Sequence, residues 1–351
     1  MLPILNSKGV HCSMRSVPKV SVVILTYNFA EYIEACVRSV INQSLKEIEI
    51  IIINDGSTDE TADIIHTIRD ERTTVVNKEN GGVSSARNEG FNRAKGEYVF
   101  QLDGDDYIDA NYLEQLYCAA KEKNADVLIA TGYIEEYENT SVLKSIDATE
   151  IHGDLLKDML LGNILGYSWL KLYKTTTFKE NNIQYPLNVS YAEDLITDLY
   201  FLRHCKSSVI FNNTTYVHYR QREKSLSNYK NDKTLHDQET LMILVEKFLN
   251  DNTIMEKYEQ EFAHFQLMQY CYAVINSRVF TAKHKEIYMK SKKKIESVVK
   301  SSDFIYETYK KLPLQTRIGF KAYKLNYHIG VFLKKMYLLI SNIRKPRYIL
   351  K

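Results

Sequence analysis

The sequence has few cysteines, and it lacks the long hydrophobic runs of a membrane protein. Its five cysteines lie far apart and form no CxxC pair, which argues against a disulfide framework or a zinc site and favours a reducing compartment. No uncharged apolar run reaches the ~18 residues of a membrane span. The first residues also lack the apolar core of a signal peptide. We therefore expect a cytoplasmic protein.

The chain as a whole also lacks an excess of charge of one sign, because 46 Lys and Arg nearly balance 44 Asp and Glu. This balance is uneven along the sequence. Residues 283–351 hold 18 basic against 4 acidic side chains, which leaves the remainder acidic. A uniformly basic nucleic-acid-binding protein would not divide its charge in this way, so nucleic acid is not an expected partner.

Polar residues follow continuous apolar runs in the first third of the chain. The runs VSVVILT, IEIIII, TTVV and YVFQL alternate with helical patterns. This alternation predicts an α/β fold with a Rossmann-like, mostly parallel central sheet flanked by helices. Ligands of such sheets bind beyond the carboxyl ends of the strands. We therefore expect one edge of the sheet to collect Thr26–Asn28, Asn54–Asp55, Asn80 and Asp103–Asp106.

The most concentrated acidic cluster there follows YVFQL and contains Asp103, Asp105, Asp106 and Asp109. Three interpretations are open: an EF-hand calcium loop, a solvated turn before a helix, and a divalent cation held by two carboxylates and a substrate diphosphate. An EF-hand needs a glycine where Ile108 stands, and a helix before the loop. The hard oxygen ligands favour the cation, as does Gly104, which would let the backbone approach a ligand closely.

Five motifs occur together in one order: SVVILTYN, IIINDGSTDET, NGGVSSARNEG, FQLDGDD and YAEDL. In this order and spacing, residues 19–228 resemble glycosyltransferase family 2, the inverting, nucleotide-sugar-dependent enzymes of the GT-A fold. The resemblance implies a metal-dependent hexosyltransferase that uses Mn²⁺ or Mg²⁺ and a UDP-sugar donor. Its acceptor would be a glycan or a lipid-linked molecule of cell-envelope, capsular polysaccharide or teichoic acid synthesis.

Two functions of other classes compete with this interpretation. A sugar-nucleotide-binding scaffold without turnover would use the same nucleotide pocket, although Asp103, Asp105 and Asp194 argue against it. A phosphatase with an aspartyl nucleophile would carry its DxD after the first strand of the sheet, whereas here the DxD follows the fourth.

The resemblance assigns donor-binding roles to single residues. Tyr27 would stack on the uracil ring beside Thr26 and Asn28, and Asp55 would accept the uracil N3–H. From the residues alone, the alternatives are a packed aromatic for Tyr27 and an Asx-turn or a helix cap for Asp55. Further donor contacts, to the base, the ribose or the phosphates, are implied for Arg87, Asn88, Asp103, Gly104, Arg220, Arg222 and Ser225. A surface salt bridge is the alternative for Arg87.

The resemblance also implies the catalytic and metal-binding residues. Asp194 is similar to the general base that deprotonates the acceptor hydroxyl, with Glu193 as the second choice; an acidic helix N-terminus is the alternative for both. The implied metal ligands are Asp103, Asp105 and His218, although His218 could instead be packed or solvated. Trp169 lies where relatives stack the acceptor sugar, or it belongs to the core.

The patterns divide the chain into three parts. A leader (1–17) precedes a GT-A catalytic domain (18–230), made of a nucleotide-binding half (18–125) and an acceptor-binding half (126–230). A helical, basic C-terminal region (231–351) follows. Its mixture of lysines and aromatics suits an anionic membrane surface, which would make the protein peripheral at the inner face of the cell membrane. A helical subdomain or a homo-oligomer interface with a solvated basic face is the alternative.

Overall fold

The computed structural model describes residues 17–189, 192–222 and 232–276. The strands in these ranges are β1 (Val20–Thr26), β2 (Ile48–Asn54), β3 (Thr73–Asn77), β4 (Tyr98–Asp103), β5 (Tyr107–Ile108), β6 (Val127–Ala130), β7 (Gly132–Tyr137), β8 (Thr140–Ser145), β9 (Lys171–Lys174), β10 (Ser208–Phe211) and β11 (Val217–Arg220). The helices are α1 (Ile33–Ile41), α2 (Thr61–Thr67), α3 (Val83–Arg93), α4 (Tyr112–Glu122), α5 (Leu155–Leu161), α6 (Thr175–Glu180), α7 (Glu193–His204), α8 (Asp232–Asp251) and α9 (Glu259–Asn276). Ser225, most of the leader and residues 277–351 lie outside the described residues.

A seven-stranded sheet forms the centre, in the order β10-β6-β9-β4-β1-β2-β3. Its strands pair in parallel, except that β9 runs antiparallel to both of its neighbours, β4 and β6. The predicted mostly parallel central sheet is thus confirmed. Strands from both predicted halves of the catalytic domain join this one sheet.

Helices cover both faces of the sheet, which explains why its central strands β1, β2 and β4 are mostly apolar and buried. Val23 and Ile51 pack with α3, α5 and α7 on one face, and Ile24 and Ile50 pack with α1, α2 and α4 on the other. Adjacent residues of a strand point to opposite faces of the sheet. A strand that is buried on both faces is therefore apolar at successive positions, without the apolar–polar alternation of a half-exposed strand.

A smaller four-stranded sheet, β5-β11-β7-β8, brings two distant parts of the chain together. Strand β5 lies within the predicted acidic cluster, between Asp106 and Asp109, and pairs antiparallel with β11, with Ile108 opposite Val217 and Tyr107 opposite His218. Because of this pairing, the residues at the end of β11 lie beside the acidic cluster.

The two described helices of the predicted C-terminal region pack on the catalytic domain. Phe248 of α8 and Phe262 of α9 belong to the same hydrophobic cluster as Leu155 of α5 and Leu199 of α7. This part of the region therefore shares a core with the sheet. None of the helices within the described ranges combines the length and the apolarity needed to cross a bilayer.

Candidate active site

The carboxyl ends of the central strands bring polar residues side by side. Thr26 at the end of β1 pairs with Asn54 of β2, and Leu25 pairs with Asp103 of β4. Asn54 in turn pairs with Asn77 of β3, and their side-chain amides are hydrogen-bonded at 2.9 Å. The polar strand ends that the sequence placed at one edge therefore meet there.

Asn28 ties together the turns that follow β1 and β2. Its backbone is left-handed, with φ 56°, a conformation that asparagine tolerates better than most residues. Its N–H donates to Ser57 Oγ at 3.0 Å, and its side-chain oxygen accepts from the Thr58 N–H at 2.8 Å. The neighbouring Tyr27 remains 45% exposed at the edge, whereas Thr26 is buried. Tyr27 is thus open to a flat ligand, as the predicted stacking requires.

Asp55 is buried and organises the loop after β3. Its Oδ1 accepts from Lys78 Nζ at 2.6 Å and from the Gly81 N–H at 3.0 Å, and its Oδ2 accepts from the Gly82 N–H at 2.9 Å. The predicted contact to a uracil N3–H would add to these bonds. Sequence reasoning missed this anchoring role, because the three donors lie at least 23 residues away.

The acidic turn, Asp103–Asp106, holds its carboxyl groups partly or fully away from water, and the Asp103 side chain is the most exposed of the three at 27%. Asp105 and Asp106 are almost completely buried, and Asp106 Oδ2 finds no hydrogen-bond partner among the described residues. Burial raises the pKa of Asp103 to about 7; the attraction of Arg87 opposes this shift and the charge of Asp105 adds to it. Burial likewise raises the pKa of Asp105 and of Asp106. The turn therefore attracts positive charge.

Two arginines at the end of β11 supply positive charge to the acidic turn. Arg222 forms an ion pair with the Asp105 carboxylate and lies 4.6 Å from the Phe29 ring centroid. Arg220 Nη1 donates to the Asp105 carbonyl oxygen at 2.9 Å, and its backbone N–H donates to Asp106 Oδ1 at 2.9 Å. The β5–β11 pairing thus sets two predicted donor-binding arginines against Asp105, a predicted metal ligand.

Arg87 of α3 lies buried between the acidic turn and the start of α7. Its guanidinium forms ion pairs with Glu193 and, at 2.8 Å, with Asp194, and it lies 4.0 Å from Asp103 Oδ1. The sequence suggested a contact to the donor's base or phosphate, or a surface salt bridge. Arg87 is 4% exposed and lies among three carboxylates, so it forms a buried ion-pair cluster and not a surface salt bridge; its contact to the donor stays a prediction.

Glu193 and Asp194 open α7 and are both 8% exposed. Burial raises the pKa of Glu193 against the pull of Arg87. Asp194 Oδ2 accepts from the Ser168 N–H at 3.1 Å, and Ser168 Oγ lies 3.0 Å from the Tyr185 hydroxyl. Asp194 is therefore held from two sides, by Arg87 and by a loop that the sequence did not connect with it.

His218 makes other contacts than the predicted ones. Its Nδ1 lies 2.7 Å from Glu136, its Nε2 lies 3.0 Å from Asp109, and its ring stacks on Tyr107. Both ring nitrogens are thus engaged, and a metal ion would have to displace one partner. Asp109 also accepts from the Tyr216 N–H at 2.9 Å.

Asn88 has a structural role, and its predicted contact to the donor stays a prediction. Its side-chain amide donates to the Tyr185 carbonyl at 2.9 Å and accepts from the Tyr185 N–H at 2.7 Å. The Asn88 amide therefore makes the same two hydrogen bonds to the Tyr185 backbone that a neighbouring strand would make, and it fixes this part of the chain beside Arg87. Sequence alone could not show this, because the partner lies 97 positions away.

Trp169 belongs to the core, the alternative that the sequence left open. It is 4% exposed and stacks between Tyr167 and Tyr219, with ring centroids 5.0 and 5.4 Å away. Tyr167 is the exposed member of the stack at 41%. An acceptor sugar would thus meet Tyr167 first.

Gly104 is required for packing against β1. A Cβ atom at this position would lie 2.7 Å from the Leu25 carbonyl oxygen and 3.1 Å from the Phe29 ring. The Gly104 N–H donates to the same oxygen at 2.7 Å. The glycine lets the acidic turn close on the end of β1, and its predicted close approach to a ligand stays a prediction.

No group of three or more His, Cys, Asp or Glu side chains converges to hold a metal ion within the part of the chain that the structure describes. Mg²⁺ and Mn²⁺ often take one or two protein carboxylates and complete their coordination with phosphate and water. The carboxylates of the acidic turn, with the unsatisfied Asp106 oxygen, fit such a minimal set.

Comparisons with known proteins agree with this architecture. The sequence profile of Glycosyl transferase family 2 matches residues 21–189. The chain is 30% identical over 271 residues to the glycosyltransferase EpsH of Bacillus subtilis, covering 74% of this chain and 77% of EpsH. It is 35% identical over 208 residues to the poly(ribitol-phosphate) beta-N-acetylglucosaminyltransferase TarP of Staphylococcus aureus, covering 57% of this chain and 62% of TarP.

Among solved structures, the fold resembles S. aureus TarS 1–349 in complex with UDP-GlcNAc. The TM-score is 0.65 at 21% identity, with 80% of this chain and 82% of that chain covered. The similarity supports the GT-A fold. From the motifs, the fold and these relatives together, the chain belongs to glycosyltransferase family 2.

Proposed function

We propose that this protein is an inverting, metal-dependent hexosyltransferase that moves a sugar from a UDP-sugar to a glycan or lipid-linked acceptor in cell-envelope polysaccharide or teichoic acid synthesis. The names of TarP and of the TarS complex with UDP-GlcNAc support this class of donor and acceptor. The observation that carries the proposal is the position of Arg87. It contacts the acidic turn on one side and the two carboxylates of α7 on the other. The donor held at the acidic turn and the acceptor activated at α7 would therefore meet beside Arg87.

The donor would lie along the edge from the exposed Tyr27 to the acidic turn. Tyr27 and Asp55 would recognise the base, and Arg220 and Arg222 would contact the diphosphate. Asp103 and Asp105 would hold Mn²⁺ or Mg²⁺. When bound, this cation would supply neutralisation of the charge on the departing diphosphate.

Asp194 is the best candidate for the general base. An inverting displacement needs one base near the acceptor hydroxyl, on the face of the sugar opposite the leaving group. Arg87 and the Ser168 N–H fix the Asp194 carboxylate, and the exposed Tyr167 precedes Ser168 on the same loop. An acceptor resting on Tyr167 would therefore bring its hydroxyl towards Asp194.

UDP release from a panel of UDP-glucose, UDP-galactose and UDP-GlcNAc with Mn²⁺ tests this function. We expect slow hydrolysis of at least one donor, and a decrease of about 10³-fold in Asp194→Asn with UDP affinity unchanged. Asp70→Asn, which removes a carboxylate paired with Arg72, is the matched control and should keep full activity. UDP binding without release from any donor, also with added cell-wall glycan, would support the scaffold alternative.

A further inference from the structure

Lys171 of β9 carries a buried charge beside the candidate active site. The residue has 0% exposure, and its ammonium group has two hydrogen-bond acceptors and one ion-pair partner. It lies 2.9 Å from Asp198 Oδ2, and it donates to the carbonyl oxygens of Leu165 at 2.6 Å and of Tyr167 at 3.0 Å. Burying a lysine this completely is unfavourable without such partners.

The partner carboxylate lies on the same helix as the proposed base. Asp198 follows Asp194 by four residues on α7, so both side chains lie on one face of the helix. Asp198 Oδ1 also accepts from the Tyr173 hydroxyl at 2.7 Å. Lys171 is thereby tied to the helix that carries Asp194.

The two carbonyls tie Lys171 to the loop that contacts Asp194. They flank Gly166, where a Cβ atom would lie 2.9 Å from Leu195 Cβ, so the loop lies directly on α7. Immediately after these residues, the Ser168 N–H donates to Asp194 Oδ2. The Lys171 ammonium group therefore binds α7 through Asp198 and also binds the loop whose Ser168 N–H contacts Asp194.

We propose that Lys171 is a positioning residue for sugar transfer. Paired with Asp198, it holds residues 165–168 against α7, so that the Ser168 N–H orients the Asp194 carboxylate and Tyr167 faces the acceptor. This inference rests on the proposed function for the role of Asp194. An ion pair with a purely structural role would only stabilise the fold. Removing both of its charges together would then leave the loop unaffected.

The double variant K171M/D198N separates these two roles. It removes both charges at similar volume, and the introduced amide can still accept a hydrogen bond from the Tyr173 hydroxyl, so most of the stability should be retained. The Leu165 and Tyr167 carbonyls would lose their donor in any case. The matched control is R72M/D70N, because Arg72 likewise pairs with an aspartate and donates to a backbone carbonyl, that of Ile41, at 2.9 Å.

Hydrogen exchange and UDP release are measured on the full chain of each variant. In K171M/D198N we expect amide exchange in residues 164–170 to become about tenfold faster and UDP release to decrease about tenfold, with the thermal midpoint and UDP affinity close to wild type. The control should change neither exchange in this loop nor UDP release.

If K171M/D198N showed wild-type amide exchange and wild-type UDP release, the inference would be overturned, and the ion pair of the wild-type protein would have a structural role only. The Asp194→Asn variant distinguishes this failure from that of the proposed function. If Asp194→Asn loses UDP release while K171M/D198N retains it, the positioning role alone is wrong. If Asp194→Asn is fully active, the proposed base is wrong, and faster loop exchange would then show anchoring without a catalytic consequence.

Discussion

Carboxylates and arginines of the candidate site share a small, poorly hydrated volume. In such surroundings, ionisation of an aspartate costs free energy unless a cation lies beside its carboxylate. Asp105 has Arg222, and Glu193 and Asp194 have Arg87, whereas Asp103 lies 4.0 Å from the nearest guanidinium nitrogen of Arg87. The net charge of these carboxylates, and with it the stability of the site, should therefore depend on pH and on added cations.

We expect Asp103→Asn to stabilise the metal-free protein at pH 8 but not at pH 4. The folded-state pKa of Asp103, about 7, lies above its ordinary value of 3.8. Between these values the folded state keeps a proton that the unfolded state has lost, so the free energy of unfolding contributed by this group falls as pH rises from about 4 to about 7. Thermal unfolding in EDTA should show a gain of about 2 °C at pH 8.

The control for this experiment is Asp147→Asn. Hydrogen bonds from Thr149 hold the pKa of Asp147 below its ordinary value, so its removal should bring no gain at high pH. A gain for Asp103→Asn that is equal at pH 4 and pH 8 would contradict the prediction.

Arg222 should compete with a divalent cation for Asp105. The Arg222→Gln variant is expected to bind Mn²⁺ about tenfold more tightly in the absence of nucleotide, because the carboxylate would no longer have an arginine as its counterion. Titration followed by electron paramagnetic resonance measures free Mn²⁺ directly. Arg72→Gln, at an ion pair elsewhere, serves as the control. Unchanged or weaker Mn²⁺ binding in Arg222→Gln would show that Asp105 does not hold the ion.

At the scale of elements, the site depends on how tightly the strand ends pack. The acidic turn folds back on the end of β1 with a hydrogen bond from Gly104 to Leu25. At the opposite end of the same strand, Gly96 lies so close that an added Cβ atom would come 2.5 Å from the Ser21 nitrogen. These two glycines allow overpacking to be compared at the site and away from it.

Both Gly104→Ala and Gly96→Ala should lower the free energy of unfolding, by about 1–3 kcal/mol. Only Gly104→Ala is expected also to weaken UDP binding in the presence of Mn²⁺, because its Cβ atom would displace the acidic turn. Denaturant unfolding and calorimetric titration with UDP measure the two effects. If both variants lost UDP affinity equally, the effect would come from general destabilisation.

At the scale of the whole molecule, α8 and α9 complete the core on one face of the sheet. Phe248 is fully buried, and its ring centroid lies 4.9 Å from that of Tyr200 on α7. This packing joins the described part of the C-terminal region to the helix that carries Asp194 and Asp198. The stability of the site and of these helices should therefore be coupled.

Phe248→Ala is expected to destabilise the protein by about 3–5 kcal/mol and to shift a single unfolding transition. Ile243 on the same helix is 64% exposed, and Ile243→Ala should have little effect. Calorimetry with activity measured at each temperature tests this. A separate early transition that leaves UDP release intact would indicate that α8 folds independently of the catalytic core.

The sequence by itself determined the central sheet, the edge at which polar residues meet and the family. These follow from local patterns: apolar runs of strand length, the turns between them and short motifs. The same reasoning found Tyr27 and the acidic turn, because residues that follow a strand directly reach the edge whatever else the chain does.

The tertiary structure alone decided the partners of the charged residues. Arg87 meets Glu193 across 106 positions, His218 engages Asp109 and Glu136, and Lys171 is buried against Asp198. Side-chain pairing depends on which distant elements pack together, and the desolvation of a charge depends on all of them at once. No local pattern carries that information.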